Sequence, residues 1–231
     1  MRWPTPSRSD QRRLARTKPD IERSVFINCP FDDAYRPLLR VACFTLLACG
    51  YRPRCALDES DSGRIRFDAI LDMILSCGLS IHDISRVEID PKTKLPRFNM
   101  ALELGADLAL RMRGPKSQRT RRMLVLDAEP HRYDQTLSDI SGMDIAVHHN
   151  RPRAMIKEMR DWLNAAHAAD APLPGATALA ADYELFQGVA PEITAAFRMD
   201  GLDELAHVDF LYVVEQALIS IEADRQGTQG L

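Results

Sequence analysis

Glu103 is the side chain in this sequence best placed to do chemistry. It stands in the stretch Pro96-Arg97-Phe98-Asn99-Met100-Ala101-Leu102-Glu103-Leu104-Gly105. Asn99 is a good helix cap by residue type. Glu103 then falls in the first full turn, near the positive end of the helix dipole, among apolar neighbours. Gly105 lets another group come close to the helix. A carboxylate held this way can act as a nucleophile or steady a sugar oxocarbenium ion. The plainer alternative is a first-turn Glu favoured only by the dipole. Asp83 closes the apolar stretch Leu79-Ser80-Ile81-His82-Asp83-Ile84, where it can bond a ribose or base or cap the following turn. His82 points to the opposite face by alternation and reads as structural.

The turn Asn28-Cys29-Pro30-Phe31-Asp32 is where a nucleotide or sugar would rest, together with the segment from Asp83 through Ser85 to Arg86. It is no glycine-rich phosphate cradle, since neither GxGxxG nor a Walker A pattern occurs. That argues against a dinucleotide-binding oxidoreductase and a P-loop NTPase. Cys29 has no His near it in sequence and reads as an inert buried thiol. Arg111, Arg113, Lys116, Arg119, Arg121 and Arg122 form a basic run without an acid. It can clasp phosphates or lie solvated before a strand. No aromatic interleaves it, so base stacking on single strands has little support.

Elements must bring these residues together. Val25–Asn28, Tyr51–Leu57, Leu79–Ile84, Met123–Leu126 and Asp144–Val147 read as strands. Helical spacing is expected over residues 34–48, with Leu38, Leu39, Ala42, Leu46 and Leu47 on one side and Gly50 at the end. It recurs from Ile65 to Ile74, from Met100 to about Arg111, and from Pro152 to His167. A loop with Pro91 and Pro96 is expected from Ser85 to Asn99. Strands alternating with helices mean βαβ units, a mainly parallel sheet and helices on both faces. Ligands of such open sheets bind beyond the carboxyl ends of the strands, at the switch in strand order.

Composition sets the frame. The 231 residues are 45% hydrophobic and 27% charged, a globular balance. No apolar run reaches the roughly 18–20 residues of a spanning helix, and no apolar block follows the first charges as in a secretory leader. The five cysteines, all before residue 80 and without a CxxC pair, suggest free thiols in a reducing cytoplasm and neither a disulfide framework nor a zinc site. Residues 1–23 read as a flexible basic arm. Residues 168–180 are rich in Ala and Pro and read as a linker. Residues 181–231 read as a helical pair broken near Asp200-Gly201, with ten acidic and two basic side chains. Two helices bury too little surface to stand alone, so they must pack on the α/β body or on another subunit.

Three of these segments carry a resemblance. Val25-Phe26-Ile27-Asn28-Cys29-Pro30-Phe31 is similar to the first strand and Pro-Phe turn of the nucleoside 2-deoxyribosyltransferases. Ser80-Ile81-His82-Asp83 is similar to their third strand. Asn99 to Ala106 is similar to the helix that carries their catalytic glutamate. The resemblance spans about residues 24–165 and extends to TIR-like proteins of bacteria, a group with NAD-cleaving members and with members tied to antiphage defence. It implies a flavodoxin-like, doubly wound α/β domain over residues 24–167 with a small C-terminal helical appendage. It also implies Glu103 as nucleophile or stabiliser at the anomeric carbon, Asp83 orienting base or sugar, and Asn28 and Phe31 lining the pocket. One departure is plain: the transferases have an aspartate six residues before the glutamate, where this chain has Arg97, and Asn99 substitutes only in part.

The expected activity is cleavage of an N-glycosidic bond in a nucleotide, nucleoside or NAD-type substrate. Glu103 and Asp83 are the expected catalytic pair; Asn28, Pro30, Phe31, Asp32, Ser85 and Asn99 are the expected binding residues. No cofactor and no metal are expected. A homo-oligomer is expected, as are a cytoplasmic location and no nucleic-acid or membrane partner. The alternative is a non-catalytic nucleotide-sensing or assembly domain.

Overall fold

The computed structural model describes residues 21–86, 97–166 and 172–229. Five strands form one parallel sheet in the order β2-β1-β3-β4-β5. They are β1 (Ser24–Asn28), β2 (Arg52–Cys55), β3 (Leu79–Asp83), β4 (Arg122–Asp127) and β5 (Ala146–Val147). The helices are α1 (Arg36–Ala48), α2 (Arg66–Leu75), α3 (Asn99–Arg113), α4 (Pro152–Ala166), α5 (Ala176–Ala196) and α6 (His207–Gln229). This is the α/β, flavodoxin-like order, with its switch between β1 and β3.

The sheet is covered on both faces, so its central strands are buried along their whole length. All five residues of β1 and all five of β3 are buried. Alternation sorts them by face. Val25 and Ile27 join the core built with α1, α4, α5 and α6, whereas Phe26 packs with Ile70, Met73 and Ile74 of α2. Asn28 lies abreast of His82 in the β1–β3 register.

Helix α1 is buried nearly all round from Leu38 to Leu46: Arg40, Val41, Cys43, Phe44 and Thr45 are enclosed along with Leu38, Leu39, Ala42 and Leu46 of the expected apolar stripe, while Leu47 is half-buried. The reason is a second layer. Helices α5 and α6 pack on α1 and α4, and Phe44 meets Tyr183 at 5.2 Å and Phe186 at 5.4 Å between ring centroids. Acidic side chains of this pair meet basic ones of the body: Arg40 binds Asp203 at 2.7 Å and Arg153 binds Glu184 at 2.7 Å. Of the two placements open to the helical pair, the structure has the intramolecular one.

Several boundaries differ from the sequence reading. Residues 176–180, read as linker, form the first turns of α5; alanines favour helix once a packing surface is present. Strand β2 ends at Cys55, and Ala56–Asp58 wind into a 3-10 turn. Ile65 is not part of a buried stripe: it precedes α2 and is 70% exposed. Asp144 and Ile145 precede the two-residue β5. Ile21–Arg23, read as the end of the basic arm, pack on the body, where Gly78 N–H donates to Ile21 O at 2.7 Å. A Cβ on Gly78 would stand 2.7 Å from that oxygen. Most of the expected basic arm, the loop with Pro91 and Pro96, and residues 167–171 lie outside the described residues.

Candidate active site

The carboxyl ends of β1 and β3 bring the two expected segments side by side. Each carries a polar residue at the end of an apolar strand, where the backbone leaves the sheet. Asn28 is buried, and its amide nitrogen donates to Met100 O at 2.8 Å and to His82 Nδ1 at 3.0 Å. The Met100 carbonyl can only accept, so the amide nitrogen faces it, and His82 Nδ1 is then an acceptor. The proton of His82 sits on Nε2, 3.0 Å from Asp107 Oδ2. Asp107 Oδ1 stands 2.9 Å from Arg121 Nε. Arg121 in turn donates to Ile74 O at 2.6 Å and Cys77 O at 2.8 Å. This buried chain ties the start of α3 to the sheet and so fixes the height of Glu103. Burial alone pushes the Asp107 carboxyl up, but His82 and Arg121 outweigh it and hold the carboxyl below its ordinary value.

Asn99 does not cap α3. The cap position belongs to Phe98, no side chain closes it, and Asn99 is the first, exposed residue of the helix. The start is instead held from outside, by Asn28 at the Met100 carbonyl. Arg97, at the position where the transferases have their aspartate, binds Asp32 at 2.8 Å. Asp32 also accepts the Tyr35 N–H at 2.9 Å and turns the chain into α1.

Glu103 lies one helical turn before Asp107, on the face of α3 that packs toward the sheet, and is buried at 8% exposure. None of the described residues gives its carboxylate a hydrogen bond or an ion pair. Burial raises it to about 7, only partly opposed by the more distant Arg66 guanidinium. A carboxyl tuned to neutrality by desolvation is the form in which acid–base and nucleophilic carboxylates are found.

Asp83 has a different setting. Its Oδ1 accepts the Ser85 N–H at 2.9 Å. Its Oδ2 accepts the Tyr35 hydroxyl and stands 3.0 Å from His148 Nε2. His148 follows β5, and its Nδ1 accepts the Asn150 N–H at 3.0 Å. His149 (φ 52°) and Asn150 (φ 53°) take left-handed conformations there and turn the ring back over the sheet edge. Burial first, and then Asp83, push the Tyr35 phenol well above its ordinary value, so it stays a donor. Asp83 therefore lies on the α1–α4 side of the sheet edge, whereas Asn28, His82 and Glu103 lie on the α3 side. Cys29 sits between, 2% exposed, and its thiol is pushed well up by burial and then by Cys55, Asp83, Cys43 and Glu103.

Pro30 is buried, and Phe31 and Asp32 are half-buried on the same edge. Ser85 Oγ and Asp127 Oδ2 are buried at the ends of β3 and β4 without a hydrogen-bond partner among the described residues. Arg132 joins them, donating to Ser85 O at 2.5 Å and to Asp127 Oδ1. Half of the basic run bonds within the fold, with Arg121 in the core, Arg119 donating to Gly114 O at 2.8 Å and Arg122 donating to Ala165 O, whereas Arg111, Arg113 and Lys116 are exposed.

Tyr35, His148, Asp107 and Arg132 were not singled out in the sequence. The spacing of Asp107, one turn past Glu103, was the one local signal available. A cavity of about 310 Å³ lies apart from Glu103, lined by Arg54, Asp58, Glu59 and Arg64 and by α2. Cys55, Asp58 and His207, at the carboxyl end of β2, are a group of side chains able to hold a metal ion.

Fold and site define an α/β protein of flavodoxin-like order with a neutral-range glutamate at the switch point. No helix among the described residues is long and apolar enough to cross a membrane. No family model, no curated protein and no solved structure matches the chain.

Proposed function

We propose that the protein cleaves the N-glycosidic bond of a nucleotide, nucleoside or NAD-type substrate, with Glu103 as the group that meets the anomeric carbon. The observation that carries the reading is Glu103 itself: buried at the β1–β3 switch, without a cation beside it, and raised to about 7. An unpaired carboxylate in a desolvated site stabilises a developing oxocarbenium charge more than one already neutralised by an arginine. Attack at C1′ would break the bond to the base and leave a sugar–enzyme ester or ion pair. Water or a second base would then resolve it. Asn28 and Asp83 flank this position from the two strand ends. Their present partners make them positioning residues for α3 and for the Tyr35–His148 edge. The resemblance to the deoxyribosyltransferases and TIR-like proteins supports the same chemistry and brings with it self-association and an antiphage context.

The test is product analysis. Wild type and Glu103→Gln are incubated with NAD, NADP, nucleosides and nucleoside monophosphates, and released base is followed by chromatography. Release by wild type alone is expected, with a rate that rises with pH through about 7 as Glu103 ionises. Equal release by both proteins would remove Glu103 from the mechanism. No release from any substrate, with a thermal shift by one of them, would make the domain a nucleotide sensor instead.

A further inference from the structure

We infer that Cys55, Asp58 and His207 form a zinc site that staples α6 to the end of β2. The three residues come from three elements: the last residue of β2, the 3-10 turn after it, and the first residue of α6. His207 Nε2 stands 3.4 Å from Cys55 Sγ and 3.5 Å from Asp58 Oδ1. The second distance is too long for a good Asp–His hydrogen bond. Both match the edges of a tetrahedron around zinc, which are about 3.3–3.6 Å for ordinary Zn–S, Zn–N and Zn–O bonds. A mixed sulfur, nitrogen and oxygen donor set suits zinc among the common divalent ions. The inference does not depend on the glycosidase reading, and it departs from the sequence expectation of no metal, because the ligands are 152 residues apart from Cys55 to His207.

The surroundings are those of a held ligand set. Arg54 Nε donates to Asp58 Oδ2 at 2.6 Å, which leaves Oδ1 turned toward His207. Such outer contacts fix the orientation of ligating carboxylates. Burial, and then Asp58, push the Cys55 thiol up to about 12 against the backbone N–H groups of Leu57 and Asp58, so a metal must displace its proton on binding. Cys55 is fully buried, and Asp58 also lines the cavity of about 310 Å³. On binding, the Cys55 thiol gives its proton to solvent as the Zn–S bond forms.

The test uses the full chain, stripped with a chelator and reloaded with zinc or cobalt(II). One zinc per chain is expected. Cobalt should give a thiolate-to-metal charge-transfer absorption and the strong visible bands of a tetrahedral site. His207→Gln should weaken zinc by more than the roughly 10–100-fold typical of outer-shell changes, and Cys55→Ser should abolish the charge-transfer absorption. Cys77→Ser, at the other end of the strands, should change neither. The assignment is overturned if wild type binds no stoichiometric zinc, if cobalt binds without a thiolate band, or if tight binding survives in both His207→Gln and Cys55→Ser.

Discussion

Glu103 destabilises the fold whenever it is ionised, because the native state holds its proton more tightly than the unfolded chain does. Its folded value of about 7 lies above the ordinary 4.5. The native state therefore binds more protons between those values, and stability falls as pH rises through that window. The full effect is about 3 kcal/mol above the folded value. Glu103→Gln lacks this loss, so its stability relative to wild type should grow by about 2–3 kcal/mol between about pH 5 and about pH 8. Chemical denaturation at the two pH values measures it, and no change would place the carboxyl in a solvated setting. Asp107 has the opposite sign. Asp107→Asn leaves Arg121 buried beside a neutral group and should cost about 3–5 kcal/mol, read from the urea midpoint. A loss under 1 kcal/mol would mean that the Ile74 and Cys77 carbonyls and the Gln118 amide oxygen, 2.7 Å from the guanidinium, suffice for Arg121 without the ion pair.

At the scale of elements, α1 is the hinge between the sheet and the second helical layer. Phe186 of α5 is 1% exposed and meets Phe44, Tyr183 and Phe210 with centroids 5.4–5.9 Å apart. Phe186→Ala should cost about 3–5 kcal/mol, measured by thermal or chemical unfolding. The strands and the helices α2, α3 and α4 were legible because each is short, periodic and closed by a turn signal. What was not legible is what faces them. Ile65 fits the helical spacing yet lies outside α2, and residues 176–180, three of them alanines, look like linker until α1 and α4 provide a surface to cover. Asn99 has the residue type of a cap, but the helix starts where Asn28 holds the Met100 carbonyl, and that bond spans 72 residues.

For the whole molecule, the question is whether residues 174–231 are an appendage or a part of the core. The core that holds Val25 and Ile27 also holds Phe186, Ile193, Phe210 and Val213, so removing the pair would expose one face of α1 to water. A chain ending at Leu173 should lose near-ultraviolet dichroism and bind a hydrophobic dye while keeping helical signal. Native-like spectra with a sharp transition would instead show that the α/β body folds alone.

The sequence by itself determined the α/β class, the parallel sheet, the positions of Asn28 and Asp83 at strand ends and the placing of Glu103 on α3, but not its place in the first turn: the helix already starts at Asn99, and its first turn holds no acidic residue. These follow from local periodicity and from residue chemistry at element ends, both carried by neighbours along the chain. Only the tertiary structure decided the strand order, the Asn28–His82–Asp107–Arg121 chain, the closure of Asp83 under Tyr35 and His148, and the meeting of Cys55 with His207. Each depends on which elements pack together, a choice set by whole buried surfaces, to which no single stretch of sequence is a guide. The raised value of Glu103 belongs to the same group, because desolvation is a property of the place a carboxyl occupies.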